Sequence, residues 1–171
     1  MTAAATSLPV PGRRGLGWLW LAAIVIALDQ LTKALIVGQL HGGGEWVVTS
    51  FFRVILTYNT GAAFSFLADA DGWQRWFFTA VAIAATVLIV VLLRRGGSGV
   101  YCAGLALILG GAIGNLIDRL IIGKVVDFLL FHYQQWAWPA FNVADSAITI
   151  GAALLIIDSF RAHRREPVAE R

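Results

Sequence analysis

The sequence predicts an all-α membrane protein of four transmembrane helices, with a small extracytoplasmic β-sheet between helices 1 and 2. Of its 171 residues, 58% are hydrophobic and 13% charged, where an ordinary soluble chain carries roughly a quarter charged residues. The apolar residues gather into four continuous blocks, each near the ~20 residues needed to cross a hydrocarbon core. They lack the alternation of a transmembrane barrel strand. The stretch between the first two blocks is instead rich in β-branched and aromatic residues, the composition of strands. One integral membrane domain, residues 1–171, accommodates all of this.

The first block, about 16–37, contains Asp29 and Lys33. Arg13-Arg14 ahead of it resembles the start of a cleaved export signal, but the apolar run is too long and no clear small-x-small site follows, so a retained helix is expected. In the connection 38–72, His41-Gly42-Gly43-Gly44 signals a turn and Val47 to Tyr58 reads as strand. That stretch leads into Asn59-Thr60-Gly61-Ala62-Ala63-Phe64, where small residues let the backbone approach a partner closely. The second block, 73–93, has only Arg75 near its start, and the third, 100–117, has no charge.

Cys102, the only cysteine, lies in the third block and reads as a packing residue, with no intramolecular disulfide available. Gly97-Ser98-Gly99 reads as a turn. The connection 118–140 opens with Asp118-Arg119, passes through Lys124-Val125-Val126-Asp127-Phe128, and includes Trp136 and Trp138, which suit a membrane-interface belt. The fourth block, 141–157, carries only Asp145, with Asn142 placed to cap it or to face the site.

Arg13 and Arg14 precede the first span, Arg94 and Arg95 fill the second connection, and Arg161, Arg164 and Arg165 follow the fourth span. With four alternating helices all three clusters fall on one side, which the positive-inside tendency makes the cytoplasm. Both termini are then expected inside, and segments 38–72 and 118–140 outside. Topology accounts for the basic balance of charge, so no nucleic-acid partner is expected.

Asp127 and Asp145 stand in stretches otherwise almost free of charge. A carboxylate there must find a partner, line a wet cavity or take up a proton. One reading is a dyad, in which two close carboxylates share a proton, so that one accepts a proton from water while the other donates to a carbonyl oxygen. The other is structural, with Asp127 paired to Lys124 or Arg119 and Asp145 stabilising a helix N-terminus. The residues alone leave both open. Asp29 and Lys33, four apart on one helical face, are expected to form an internal ion pair.

Alternatives fit less well. His41, His132 and His163 fall in separate segments without a metal-ligand spacing, so no metal and no cofactor are expected. A serine–lysine couple on Lys33 lacks an evident serine. A proton- or ion-coupled transporter relaying through Asp29, Lys33 and Asp145 needs access from both faces, yet every intramembrane ionisable group lies near the outer end of its helix. A structural scaffold leaves the aspartates without a purpose.

Five motifs together resemble the lipoprotein signal peptidase family, also called signal peptidase II. They are Asp29-Gln30-Leu31-Thr32-Lys33, Asn59-Thr60-Gly61-Ala62-Ala63-Phe64, Gly111-Ala112-Ile113-Gly114-Asn115-Leu116-Ile117-Asp118-Arg119, Val126-Asp127-Phe128 and Phe141-Asn142-Val143-Ala144-Asp145-Ser146. The resemblance, over about 16–160, implies an aspartic endopeptidase of the bacterial inner membrane with Asp127 and Asp145 as catalytic residues. It also implies supporting or substrate-holding roles for Asp29, Lys33, Asn59, Gly61, Gly111, Asn115, Arg119, Asn142 and Ala144. The implied substrate is a prolipoprotein carrying a diacylglyceryl group on cysteine, cut just before that cysteine at the extracytoplasmic face. Membrane lipids are the expected surroundings, and a monomer is expected. Small residues at Gly61, Ala62 and Ala63 would let the outer sheet close over an extended peptide.

Overall fold

The computed structural model describes residues 13–61 and 72–163. Ala62, Ala63 and Phe64 of the small-residue segment, and Arg164 and Arg165, lie outside the described residues. The elements in chain order are α1 (Arg13–Leu16), α2 (Leu19–Leu40), β1 (Trp46–Thr49), β2 (Phe52–Asn59), α3 (Trp73–Arg95), α4 (Gly99–Ile121), β3 (Val125–Tyr133), β4 (Trp136–Ala137) and α5 (Val143–His163). The four long helices α2 to α5 are each apolar and long enough to cross a membrane. Their outward faces display Leu28, Leu31, Leu35, Trp76, Val87, Leu88 and Ile156, the expected surface where acyl chains rather than water are the solvent.

Helix α4 is the central element, packed against α2, α3 and α5. Close approach is possible because it lacks side chains where its neighbours press hardest. A Cβ at Gly111 would lie 2.3 Å from the Ala144 carbonyl oxygen, and one at Gly114 would lie 2.6 Å from Asp29 Oδ2. Small residues at such contacts are how membrane helices gain packing when hydrophobicity cannot drive them together. The helix also continues a turn past its apolar block, to Ile121. Asp118 and Arg119 stop the hydropathy pattern there, but their charges are met by tertiary partners and the helix is not broken.

The bundle has two distinct ends. At one, Ala22, Ile89, Leu93, Cys102, Leu105 and Leu109 form a buried apolar cluster with Leu16, Trp18, Tyr101 and Leu155 around it. This brings the start of α2, the end of α3 with Arg94 and Arg95, the start of α4 and the end of α5 to the same level. Ser98 caps α4 there, its Oγ accepting from the Tyr101 N–H at 3.1 Å and donating to Asp158 of α5. The Gly97-Ser98-Gly99 turn is thereby accounted for. At the other end, Ile36, Leu40, Val54 and Phe128 join α2 to the sheet.

The sheet is antiparallel in the order β1-β2-β3-β4. The hairpin expected between the first two long helices is present, and β3 and β4, from the connection after α4, extend it. Thr57 pairs with Asp127 and Val54 with Leu129, so Ile55 and Leu56 of β2 lie across from Phe128 alone. That bulge bends the strand beside Asp127, a common device next to functional sites. The free side of β3 is taken by Phe141, whose carbonyl accepts from the Phe128 and Leu129 N–H groups at 3.0 and 2.8 Å. The start of α5 is therefore held against β3, and Asp145 is brought towards Asp127.

Candidate active site

The organising residue is Asn142, fully buried at the N-cap of α5. Its Oδ1 accepts from the Asp145 N–H at 2.9 Å, and Asp145 Oδ2 accepts from the Asn142 N–H at 3.3 Å. This reciprocal pair is a capping box, which satisfies two of the orphan donors of a helix start. The structural reading of Asp145 as an N-terminal partner is therefore correct as far as it goes. The Asn142 amide nitrogen then reaches across to Asp127 Oδ1 at 2.7 Å, Asn115 Oδ1 at 3.1 Å and the Val126 backbone carbonyl at 3.2 Å. One buried amide thus touches both aspartates.

Each carboxylate has a second amide donor. Asn59, at the end of β2, donates to Asp127 Oδ2 at 3.2 Å, and Asn115 of α4 donates to Asp145 Oδ1 at 2.8 Å. Among the described residues no ion pair reaches Asp127: Lys124 lies over the Tyr58 ring at 3.9 Å, and Arg119 is turned elsewhere. Asp127 is therefore a buried carboxyl held by amides. Burial, and secondly the charge of Asp145, push its pKa from 3.8 up to about 7, against the opposing pull of Asn59, Asn142 and Lys33. A carboxyl of that strength holds a proton near neutrality.

Beneath this pair lies a charged network. Lys33 Nζ stands 2.8 Å from both Asp29 Oδ2 and Asp118 Oδ2 and donates to Asn115 Oδ1 at 2.9 Å, using all three of its hydrogens. The expected Asp29 and Lys33 ion pair is formed, with Asp118 as a third member. Asp29 Oδ1 also accepts from the Ala144 N–H at 2.9 Å, satisfying another donor at the start of α5 from a different helix. Ala144 is small because its backbone is wedged between Asp29 and Gly111. Arg119 donates to the Gly61 carbonyl at 3.1 Å, which ties the chain after β2 to α4, and its guanidinium lies over Phe78, 5.4 Å from the ring centroid.

All eleven residues singled out from the sequence fall in this one cluster. Gln30, Asp118 and Val126 also belong to the network. The Gln30 amide donates to Asp118 Oδ1 at 3.0 Å and to the Gly114 carbonyl at 3.2 Å. Gln30 sits inside the Asp29 to Lys33 motif, and a polar amide next to that buried charged pair was the available signal. An apolar cavity of about 510 Å³, lined by Thr32, Leu35, Ile36, Gln39, Trp46, Val54 and Phe128, lies on the other side of β3. Alternation along the strand sends Phe128 towards it and Asp127 away from it.

The Signal peptidase (SPase) II family matches residues 21–161, which contain the whole cluster. The chain belongs to the signal peptidase II family. The lipoprotein signal peptidase of Paraburkholderia phymatum is 58% identical over 148 residues, 86% of this chain and 89% of that protein. That of Ralstonia nicotianae is 58% identical over 156 residues, 90% of each chain. A bacterial membrane enzyme solved by the in meso method at 2.3 Å resolution aligns with a TM-score of 0.79 at 27% identity, covering 94% of this chain and 98% of that one. A second, at 1.9 Å, gives 0.75 at 29% identity over 87% and 96%. The fold and the enzyme class are thus those of signal peptidase II, a multi-pass bacterial membrane protease.

Proposed function

We propose that this chain removes the signal peptide from prolipoproteins by aspartic catalysis, with Asp127 and Asp145 as the catalytic pair. The observation that carries the reading is the bridging of two carboxyls, one on β3 and one on α5, by Asn142, whose side-chain amide donates to Asp127 and whose backbone N–H donates to Asp145. With them goes the weakened acidity of Asp127. Four aspartates and two cations share the cluster, so full ionisation of Asp127 and Asp145 would leave an excess of negative charge in a poorly solvated place. A single proton shared by the pair relieves that excess, and the labels acid and base belong to the pair rather than to either residue.

The chemistry follows from one proton on two carboxyls. The ionised member accepts a proton from a water molecule as its oxygen attacks the scissile carbonyl carbon, while the protonated member donates to the carbonyl oxygen. Reversing the proton transfers delivers a proton to the departing amide nitrogen, the C–N bond breaks, and one carboxylic acid and one amine are released. The amides of Asn59, Asn115 and Asn142 hold both carboxyls in place while their charges exchange.

The substrate class we favour is the prolipoprotein whose cysteine already carries a diacylglyceryl group, cut on the N-terminal side of that cysteine. A lipid fixes the depth of the bond beside it; Asp145 lies in the first turn of α5 and Asp127 on the strand held against that helix start, near that depth. The basic residues at the opposite end of the bundle argue that this end faces outward and that both termini are cytoplasmic. Closure of the sheet over an extended peptide remains part of this reading. We read the enzyme as a monomer.

Two measurements test it. The purified protein should cleave a lipidated prolipoprotein and not its unlipidated form, with the rate unchanged by a chelator. Asp127→Asn and Asp145→Asn should each abolish cleavage while leaving folding and insertion intact, and normal processing by either variant would remove the dyad.

A further inference from the structure

We infer that Asp118 is a positioning residue of this site: from the last turns of α4 it locks the strand carrying Asp127 and sets the charge balance around Lys33. Its buried carboxylate works in three directions at once. Oδ1 accepts from Gln30 at 3.0 Å. Oδ2 pairs with Lys33 at 2.8 Å and accepts from the Val126 N–H at 3.1 Å. The Val126 backbone is turned away from β2, with its N–H on Asp118 and its carbonyl on the Asn142 amide. Both peptides flanking the residue before Asp127 are therefore fixed by side chains of other elements.

The consequence is geometric as well as electrostatic. Without Asp118 the Val126 N–H is a buried donor lacking its partner, and β3 is free to shift relative to α4 and α5. Misplacement of a reacting group by about 1 Å costs on the order of 10²-fold in rate. The charged groups facing Asp118 are Lys33 of α2, which pairs also with Asp29, and Arg119 on α4, which in turn interacts with Asp127 of β3 and Asp145 of α5. Loss of its negative charge leaves Lys33 with a single anionic partner, and the extra positive potential favours the ionised form of the dyad.

The test uses the full-length enzyme in detergent micelles with a lipidated prolipoprotein, and rests on the reading of Asp127 as catalytic. Asp118→Ala should lose on the order of 10²-fold in kcat with little change in KM. Asp118→Asn keeps the volume and an acceptor for Val126, so its rate should fall less, while the alkaline limb of its pH–rate profile should move to lower pH. A wild-type kcat for Asp118→Ala, or a loss confined to KM, would overturn the inference. So would an unmoved alkaline limb in Asp118→Asn, which decides the matter if the alanine variant does not fold. Asp127→Asn run alongside separates the two claims: cleavage by that variant defeats the dyad, whereas an inactive Asp127→Asn beside an unaffected Asp118→Ala defeats only the positioning role.

Discussion

Asp127 has an acidity that makes two separate predictions. Its carboxyl holds a proton up to about pH 7, so the one-proton state of the pair gives way to two carboxylates as pH rises through that value. Cleavage should therefore fall on the alkaline side with an apparent pKa near 7, read from initial rates on lipidated substrate; activity undiminished to pH 9 would contradict the assignment. The stability effect has its own sign. The unfolded chain releases this proton near 3.8 and the folded chain near 7, so between those values the folded state binds more protons and stability declines as pH rises. Asp127→Asn removes the titration and should flatten the fall in Tm between pH 5 and pH 7. A slope equal to that of the wild type would show that burial at this position is not what weakens the acid.

Helix α4 carries the site because α2 and α5 are fastened to it by different means. Lys33 fastens α2: its ammonium compensates two buried carboxylates, and removal of one member of such a group costs about 3–5 kcal/mol. Lys33→Met should lower Tm accordingly, by far more than substitution of the exposed Arg53 and Glu45 pair, whose contribution is about 0–1 kcal/mol. Gly111 fastens α5 by absence. A methyl added there meets the Ala144 carbonyl, a backbone atom that cannot turn aside, and α5 must retreat with Asp145 on it. Overpacking of this kind costs about 1–3 kcal/mol, so Gly111→Ala should remain folded yet lose most of its cleavage rate, with near-normal rates counting against the close contact. The sequence made the Asp29 and Lys33 pair and the Asn142 cap visible, since those partners lie within four residues. Asp118 as the partner of Lys33 and of Val126 was not visible, because these contacts join segments that only tertiary packing brings together.

Across the whole molecule, the sequence specified most firmly what the solvent dictates. Four apolar blocks became four long helices because a backbone in lipid must satisfy its own hydrogen bonds, and the strand composition of Val47 to Tyr58 became a hairpin. The extension of the sheet by β3 was hidden, since its pairing crosses from Asn59 to Val125 and no local pattern records a partner so distant. The separation of ends was legible and has a consequence that can be measured. Arg94 and Arg95 close α3 at the end where α4 begins, while Asp29, Asn115, Asp118 and Asp145 gather at the other, which is the arrangement of a site reached from one side rather than of a relay through the membrane. If the basic end is cytoplasmic, a membrane-impermeant maleimide applied to intact spheroplasts should label Thr49→Cys, in the β1–β2 hairpin, and should leave Gly97→Cys, in the turn before α4, unlabelled until the membrane is permeabilised. Native Cys102 is buried and contributes little background. The reverse pattern would turn the site towards the cytoplasm and overturn the orientation drawn from the basic residues.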